Sequence, residues 1–96
     1  MYNFSMRPRE KLLALGPERL EDYELLAIII RTGVVGKTAE ELSKEVLARF
    51  GSLIGMYNQP FEKFLEFKGL SEVKILQIAA ALEIARRIAE RAGRGS

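Results

Sequence analysis

The chain contains no histidine, no cysteine and no tryptophan. Without histidine it lacks the usual acid–base group at neutral pH and the commonest ligand for zinc or copper. Without cysteine it has neither disulfide nor thiolate chemistry, which suits a reducing compartment and gives a cytoplasmic expectation. Its longest unbroken apolar run, Leu25 to Ile30, is six residues, far short of the roughly 20 that a membrane helix needs. No N-terminal segment joins a basic start, an apolar run and a cleavage site, so no export signal is expected. Charge of either sign is not in large excess: 15 basic residues face 13 acidic ones, a net charge of +2. Bulk charge therefore makes no case for nucleic acid, and only the placement of charges can.

What is present reads as one soluble domain. Ninety-six residues, 48% of them hydrophobic and 29% charged, fit a single small globular core. Residues 1–6 show no periodicity and read as a loose lead-in, residues 7–91 as one helical domain, and residues 92–96 as a frayed tail or linker. Pro8 tolerates a first helical position and Gly16 a stop, so Arg7–Leu15 predicts a two-turn helix with Leu12, Leu13 and Leu15 inward. Gly16-Pro17 is a turn that opens one short helical turn through Leu20. Asp22 is placed as the N-cap of a helix to about Arg31, apolar on every side and therefore the buried centre. Gly33 is expected to end it. Thr38-Ala-Glu-Glu41 is a capping-box pattern, after which Ala39, Leu42, Val46 and Phe50 recur at helical spacing until Gly51. Ser52–Tyr57 reads as one further turn. The longest element runs from Glu72 to Arg91, with Ile75, Ile78, Ala81, Leu82, Ile84, Ala85, Ile88 and Ala89 in one wide sector. So broad a sector predicts a spine contacted by several helices. The fold class is all-α, a compact bundle of about five helices.

One stretch carries more than architecture. Phe61–Phe67, Lys68-Gly69-Leu70-Ser71 and the long final helix together resemble a helix-hairpin-helix element, here placed at residues 60–91. Gly69 fits the left-handed residue past a helix end, and Ser71 fits an N-cap. N–H groups at the start of such a helix form a seat for phosphate. The candidate phosphate-binding residues are Lys68, Gly69, Leu70, Ser71, Val73 and Lys74, with Arg31 and Lys37 as supporting cations. Glu72 puts a negative charge at the same turn. The ordinary alternative is a glycine-capped pair of helices whose turn only turns. The Gly33…Gly36-Lys37-Thr38 stretch has two residues between its glycines where a Walker A loop needs four, and reads as a loop with a capping threonine. The basic groups Arg7, Arg9, Lys11 and Arg86, Arg87, Arg91, Arg94 read as solvated surface, with Glu83 four residues before Arg87 and Glu90 four before Arg94. The carboxylates lie on polar helix faces or at helix starts, and none forms a catalytic constellation.

The blocks Arg7-Pro-Arg-Glu-Lys-Leu-Leu, Gly16-Pro-Glu, Glu24-Leu-Leu-Ala-Ile-Ile-Ile-Arg-Thr-Gly33, Gly36-Lys37, Phe67-Lys-Gly-Leu70 and Ala80-Ala-Leu-Glu-Ile-Ala-Arg-Arg87 resemble the N-terminal region of RadC-like proteins, over about residues 6–91. Glu21 and Ser71 depart from it, standing where the family often has a Ser or Thr cap and a hairpin glycine. The resemblance implies a helix-hairpin-helix-like domain, usually followed by a JAMM/MPN metallopeptidase-like domain whose zinc ligands include histidines. This chain has no histidine, so that chemistry is not carried over. The expectation is a non-catalytic, sequence-independent DNA-binding module in a DNA-repair-related protein, without metal, cofactor, small-molecule substrate or membrane contact. The alternative is a protein-interaction or positioning domain for a partner or for a metallopeptidase-like domain absent from this chain. It would dock through Met56, Tyr57, Phe61 or Phe64.

Overall fold

In the computed structural model, which describes residues 6–95, the chain folds as an all-α globule. The expectation of a lead-in over residues 1–6 lies, up to Ser5, outside the described residues. Six α-helices are described: α1 (Pro8–Leu15), α2 (Asp22–Ile30), α3 (Ala39–Phe50), α4 (Leu53–Met56), α5 (Phe61–Phe64) and α6 (Glu72–Gly95), with a single 3-10 turn, Pro17–Arg19, between α1 and α2.

The helix α2 occupies the centre. Leu26, Ala27 and Ile30 are buried, and the helix packs against α1, α3 and α6. Its cap is Glu21 rather than Asp22: Glu24 Oε1 accepts the Glu21 N–H at 2.7 Å. An acidic side chain also suits the positive end of the helix. Glu24 is buried and accepts both Lys11 contacts, at 3.0 and 3.1 Å, which ties α1 to α2. On α1 the leucines depart from expectation. Leu13 is 90% exposed and Leu15 is exposed, while Pro8 is the buried residue. Leucines at 12, 13 and 15 spread over nearly half a helical wheel, about 160° at 100° per residue, so a short helix cannot turn them all to one neighbour.

The helix α3 follows its sequence signals closely. Thr38 Oγ1 accepts the Glu41 N–H at 3.0 Å and Glu41 Oε1 accepts the Thr38 N–H at 2.9 Å. Ala39, Leu42 and Val46 are buried. Ser52 Oγ caps α4 through the Gly55 N–H at 3.0 Å. Met56 and Phe64 lie inside the core rather than on the surface, and Tyr57 and Phe61 are half-buried. Phe64 stacks at a tilt on Phe50, with ring centroids 4.9 Å apart, which closes the core beneath α5.

The spine is half a spine. Ile75 and Ile78 are each 2% exposed, but Ile84 and Ile88 are 59% and 63% exposed. The backbone stays helical to Gly95, past the expected end at Arg91. Over this second half Glu83 accepts from Arg86 at 3.0 and 2.9 Å and from Arg87 at 2.8 Å. Those bonds pull the Glu83 carboxyl down to about 2, the Arg86 contact acting most strongly and Arg87 next.

Candidate nucleic-acid interface

Two helices, α5 and α6, flank the turn at Gly69, and the first is shorter than the sequence indicates. The α-helix covers Phe61–Phe64 only, and Phe67 already belongs to the turn, its carbonyl accepting the Leu70 N–H at 3.2 Å. Gly69 holds φ at 95°, where a side chain is strained, and a Cβ there would lie 2.9 Å from Val34 Cγ1 and 3.1 Å from Leu42 Cδ2. Glycine is needed twice over at this point, for the backbone and for the approach to α3. Ser71 caps α6: its Oγ accepts the Lys74 N–H at 3.3 Å and its carbonyl accepts the Ile75 N–H at 3.0 Å.

The candidate residues divide into three groups. Lys68 is exposed and makes no ion pair with the described residues, and the N–H groups of Ser71 and Val73 donate to none of them. These face solvent at the positive end of a 24-residue helix. Leu70 differs, because its side chain is buried and its N–H is spent on Phe67. A buried anchor is what holds so tight a turn against the core. Lys74 is a tie: its Nζ donates to the Thr32 carbonyl and, at 2.9 Å, to Thr32 Oγ1. An ammonium has three N–H bonds, so one remains for another acceptor.

Those contacts also decide where the supporting cations sit. Lys74 on Thr32 and Gly69 against Val34 fasten the hairpin to the loop between α2 and α3. That loop carries Arg31 and Lys37, and Val34 and Lys37 close it with an isolated antiparallel bridge. Two residue groups nearly forty positions apart in sequence thus share one side of the molecule. Arg31 is exposed and unpaired among the described residues, whereas Lys37 reaches Glu45 at 2.7 Å. Glu72 is exposed at the same turn and opposes the cations there. Two grooves adjoin this surface. One, about 510 Å³, runs between α1 and α2 and is lined by Arg7, Arg9 and Arg31; the other, about 540 Å³, is lined by Arg7, Arg31 and Lys37. Arg7 and Arg9 were read from the sequence as plain surface. Only the approach of α1 to the end of α2 brings them beside Arg31.

Among the described residues no cluster of His, Cys, Asp or Glu could hold a metal ion, and no helix is long and apolar enough to cross a membrane. No solved structure matches the chain. Its similarity to other sequences is extensive. It is 49% identical over 83 residues to a UPF0758 protein of Coprothermobacter proteolyticus, a match covering 86% of this chain and 35% of that protein. UPF0758 proteins of Ralstonia pickettii and Nitrosococcus oceani are each 51% identical over 81 residues, covering 84% of this chain and 36% of theirs. The chain thus spans about a third of the length of these curated relatives. The family model described as UPF0758 N-terminal matches residues 2–76, and the chain belongs to that family.

Proposed function

We propose that this domain is a non-catalytic, sequence-independent DNA-binding module that holds backbone phosphates at the α5–α6 turn. The observation that carries this reading is the grouping of Lys68, the undonated N–H groups of Ser71 and Val73, and Arg31 on one surface. Backbone N–H groups and unpaired cations recognise phosphate oxygens without reading bases. The remaining N–H of Lys74 adds to the same surface. Binding of this kind falls steeply with salt, by a slope near −0.9 per neutralised phosphate on duplex DNA. Fluorescence anisotropy with labelled duplex and branched DNA at two salt concentrations tests it. Lys68→Glu is expected to weaken binding about tenfold with unchanged helical circular dichroism. Absence of binding by the wild-type domain at low salt would sink the proposal. Lys74→Glu is a poor probe, because it also cuts the tie to Thr32.

A second reading is favoured by a different observation. Ile84 and Ile88 stand exposed on α6, while the opposite charges of that half pair along the helix. An uncovered apolar stripe backed by a self-neutralised polar face is suited to docking. On this reading the domain positions a protein partner, such as the metallopeptidase-like domain that the RadC resemblance implies. Concentration-dependent mass in light scattering, abolished by the double change Ile84→Glu and Ile88→Glu, is its expected signature. A strictly monomeric domain that also ignores the remaining part of a relative's chain would overturn it.

A further inference from the structure

The end of α2 is built unlike the ends of its neighbours. Arg31 has φ 71° and ψ −56°, and the Thr32 N–H donates to the Ile30 carbonyl at 2.9 Å across it. That is a γ-turn of the positive-φ form, which is rare and strained, and more so for a residue with a side chain. The chain meets the same need at the ends of α1 and α3 with glycine, at φ 91° and 89°. At position 31 it keeps an arginine instead. The surroundings force the turn. The Arg31 N–H is held by the Ala27 carbonyl at 2.8 Å, and Thr32 is held by Lys74. Just beyond, Gly33 lets the Lys37 carbonyl come so close that a Cβ would lie 1.9 Å from it. Yet the Arg31 side chain gives the fold nothing in return. It is exposed and makes no ion pair or hydrogen bond with the described residues. Strain kept at a residue that does no structural work is a mark of function.

The position of that side chain gives the chemistry. Arg31 lines both grooves, with Arg9 across the first and Lys37 along the second. Each carboxylate of these walls accepts at least one hydrogen bond. Glu10 accepts the Arg7 N–H, Glu40 Oε2 the Arg7 Nε–H and Glu41 the Thr38 N–H, while Glu45, outside both grooves, accepts from the Lys37 ammonium. Among the described residues, the cationic side chains of these walls left without an ion pair are the guanidinium forks of Arg9 and Arg31, and Glu40 Oε1, buried without a hydrogen-bond partner, opposes them in the first groove. Such forks match the oxygens of a phosphoryl group, and two of them can share one. Leu13, 90% exposed, and half-buried Ile28 supply an apolar shelf in the first groove. A shelf beside a phosphoryl seat suits a ring attached to the phosphate.

We infer that the groove between α1 and the end of α2 binds a phosphoryl group carrying a flat ring, as in a nucleic-acid strand or a free nucleotide, with Arg31 as its anchor. The groove adjoins the hairpin surface and shares Arg31 with it, and its link to a nucleic-acid strand rests on the DNA-binding reading above. The test titrates the protein at low salt with a labelled single-stranded oligonucleotide and, by calorimetry, with adenosine monophosphate. The variants are Arg31→Gly, Arg31→Lys and Lys68→Glu. Arg31→Gly is expected to raise the thermal midpoint, because glycine relieves the turn, while weakening binding about tenfold or more. Arg31→Lys keeps the charge and loses the fork, so it should also bind more weakly, at an unchanged midpoint. Loss of oligonucleotide binding alone assigns the site to a strand, and loss of adenosine monophosphate binding assigns it to free nucleotides as well. The inference is overturned if Arg31→Gly leaves both affinities intact, or lowers the midpoint and so makes the arginine structural. If Lys68→Glu abolishes oligonucleotide binding and Arg31→Gly does not, the groove fails and the hairpin reading stands. If the wild-type chain binds neither probe, both fail.

Discussion

The two halves of α6 share one amphipathic pattern and have different fates. From Glu72 to Leu82 the helix is welded to the molecule: Ile75 and Ile78 are buried beside α2, and Lys74 grips Thr32. From Glu83 on, the isoleucines face outward and the polar groups bond to one another along the helix. The first half is helical because tertiary packing rewards it. The second is helical because alanine-rich sequence and (i, i+3) and (i, i+4) ion pairs favour helix locally. Amphipathicity thus announces a face, and says nothing of whether a neighbour covers it.

The contrast breaks most visibly at the isoleucines. Ile78→Ala is expected to cost about 2–4 kcal/mol in denaturant unfolding, because it leaves a cavity in the core. Ile88→Ala should change stability by less than about 0.5 kcal/mol; an equal loss at both positions would show that the second half is also packed. Gly69→Ala comes next, at about 1–3 kcal/mol, since the new methyl meets Val34 and Leu42 in a left-handed backbone. Lys74→Met should cost about 1 kcal/mol and speed amide exchange over residues 32–37, with Ile75 and Ile78 still protected. No change in exchange there would deny the tie. The smallest effect belongs to the second half. The carboxyl of Glu83 lies at about 2 in the folded chain against 4.5 unperturbed, so its pairing is fully present above pH 4.5 and is lost as pH falls towards 2. A slight fall in helical circular dichroism over that window is expected, weakened by salt and absent in Glu83→Gln. The pair is exposed and screened, so the global transition should barely move.

Legibility in the sequence followed the range of the interaction. The Thr38–Glu41 box, the stop at Gly51, the Ser71 cap and the turn at Gly69 each act within four residues, and each reads correctly from spacing. The N-cap of α2 was misplaced by one residue, because Glu21 takes a role usually given to Ser, Thr, Asp or Asn. Leu13, Met56 and Phe64 were misassigned for a different reason. A one- or two-turn helix carries too little periodicity to say which side faces the core. Near the candidate interface, the positive φ at Gly69 and the Ser71 cap were legible as local signals. The participation of Arg7 and Arg9 was not, since no local signal links α1 to the end of α2.

By itself the sequence determined the all-α class, the helix caps and glycine turns, and the absence of histidine and cysteine chemistry. Those depend on backbone hydrogen bonds, allowed dihedrals and side-chain type, all set within a few residues. Only the tertiary structure decided that α6 is covered for half its length, that Lys74 is a tie to Thr32, and that Arg31 stands strained and unpaired between two grooves. Each of these depends on which distant surfaces meet, and burial and pairing are properties of that meeting rather than of any one segment.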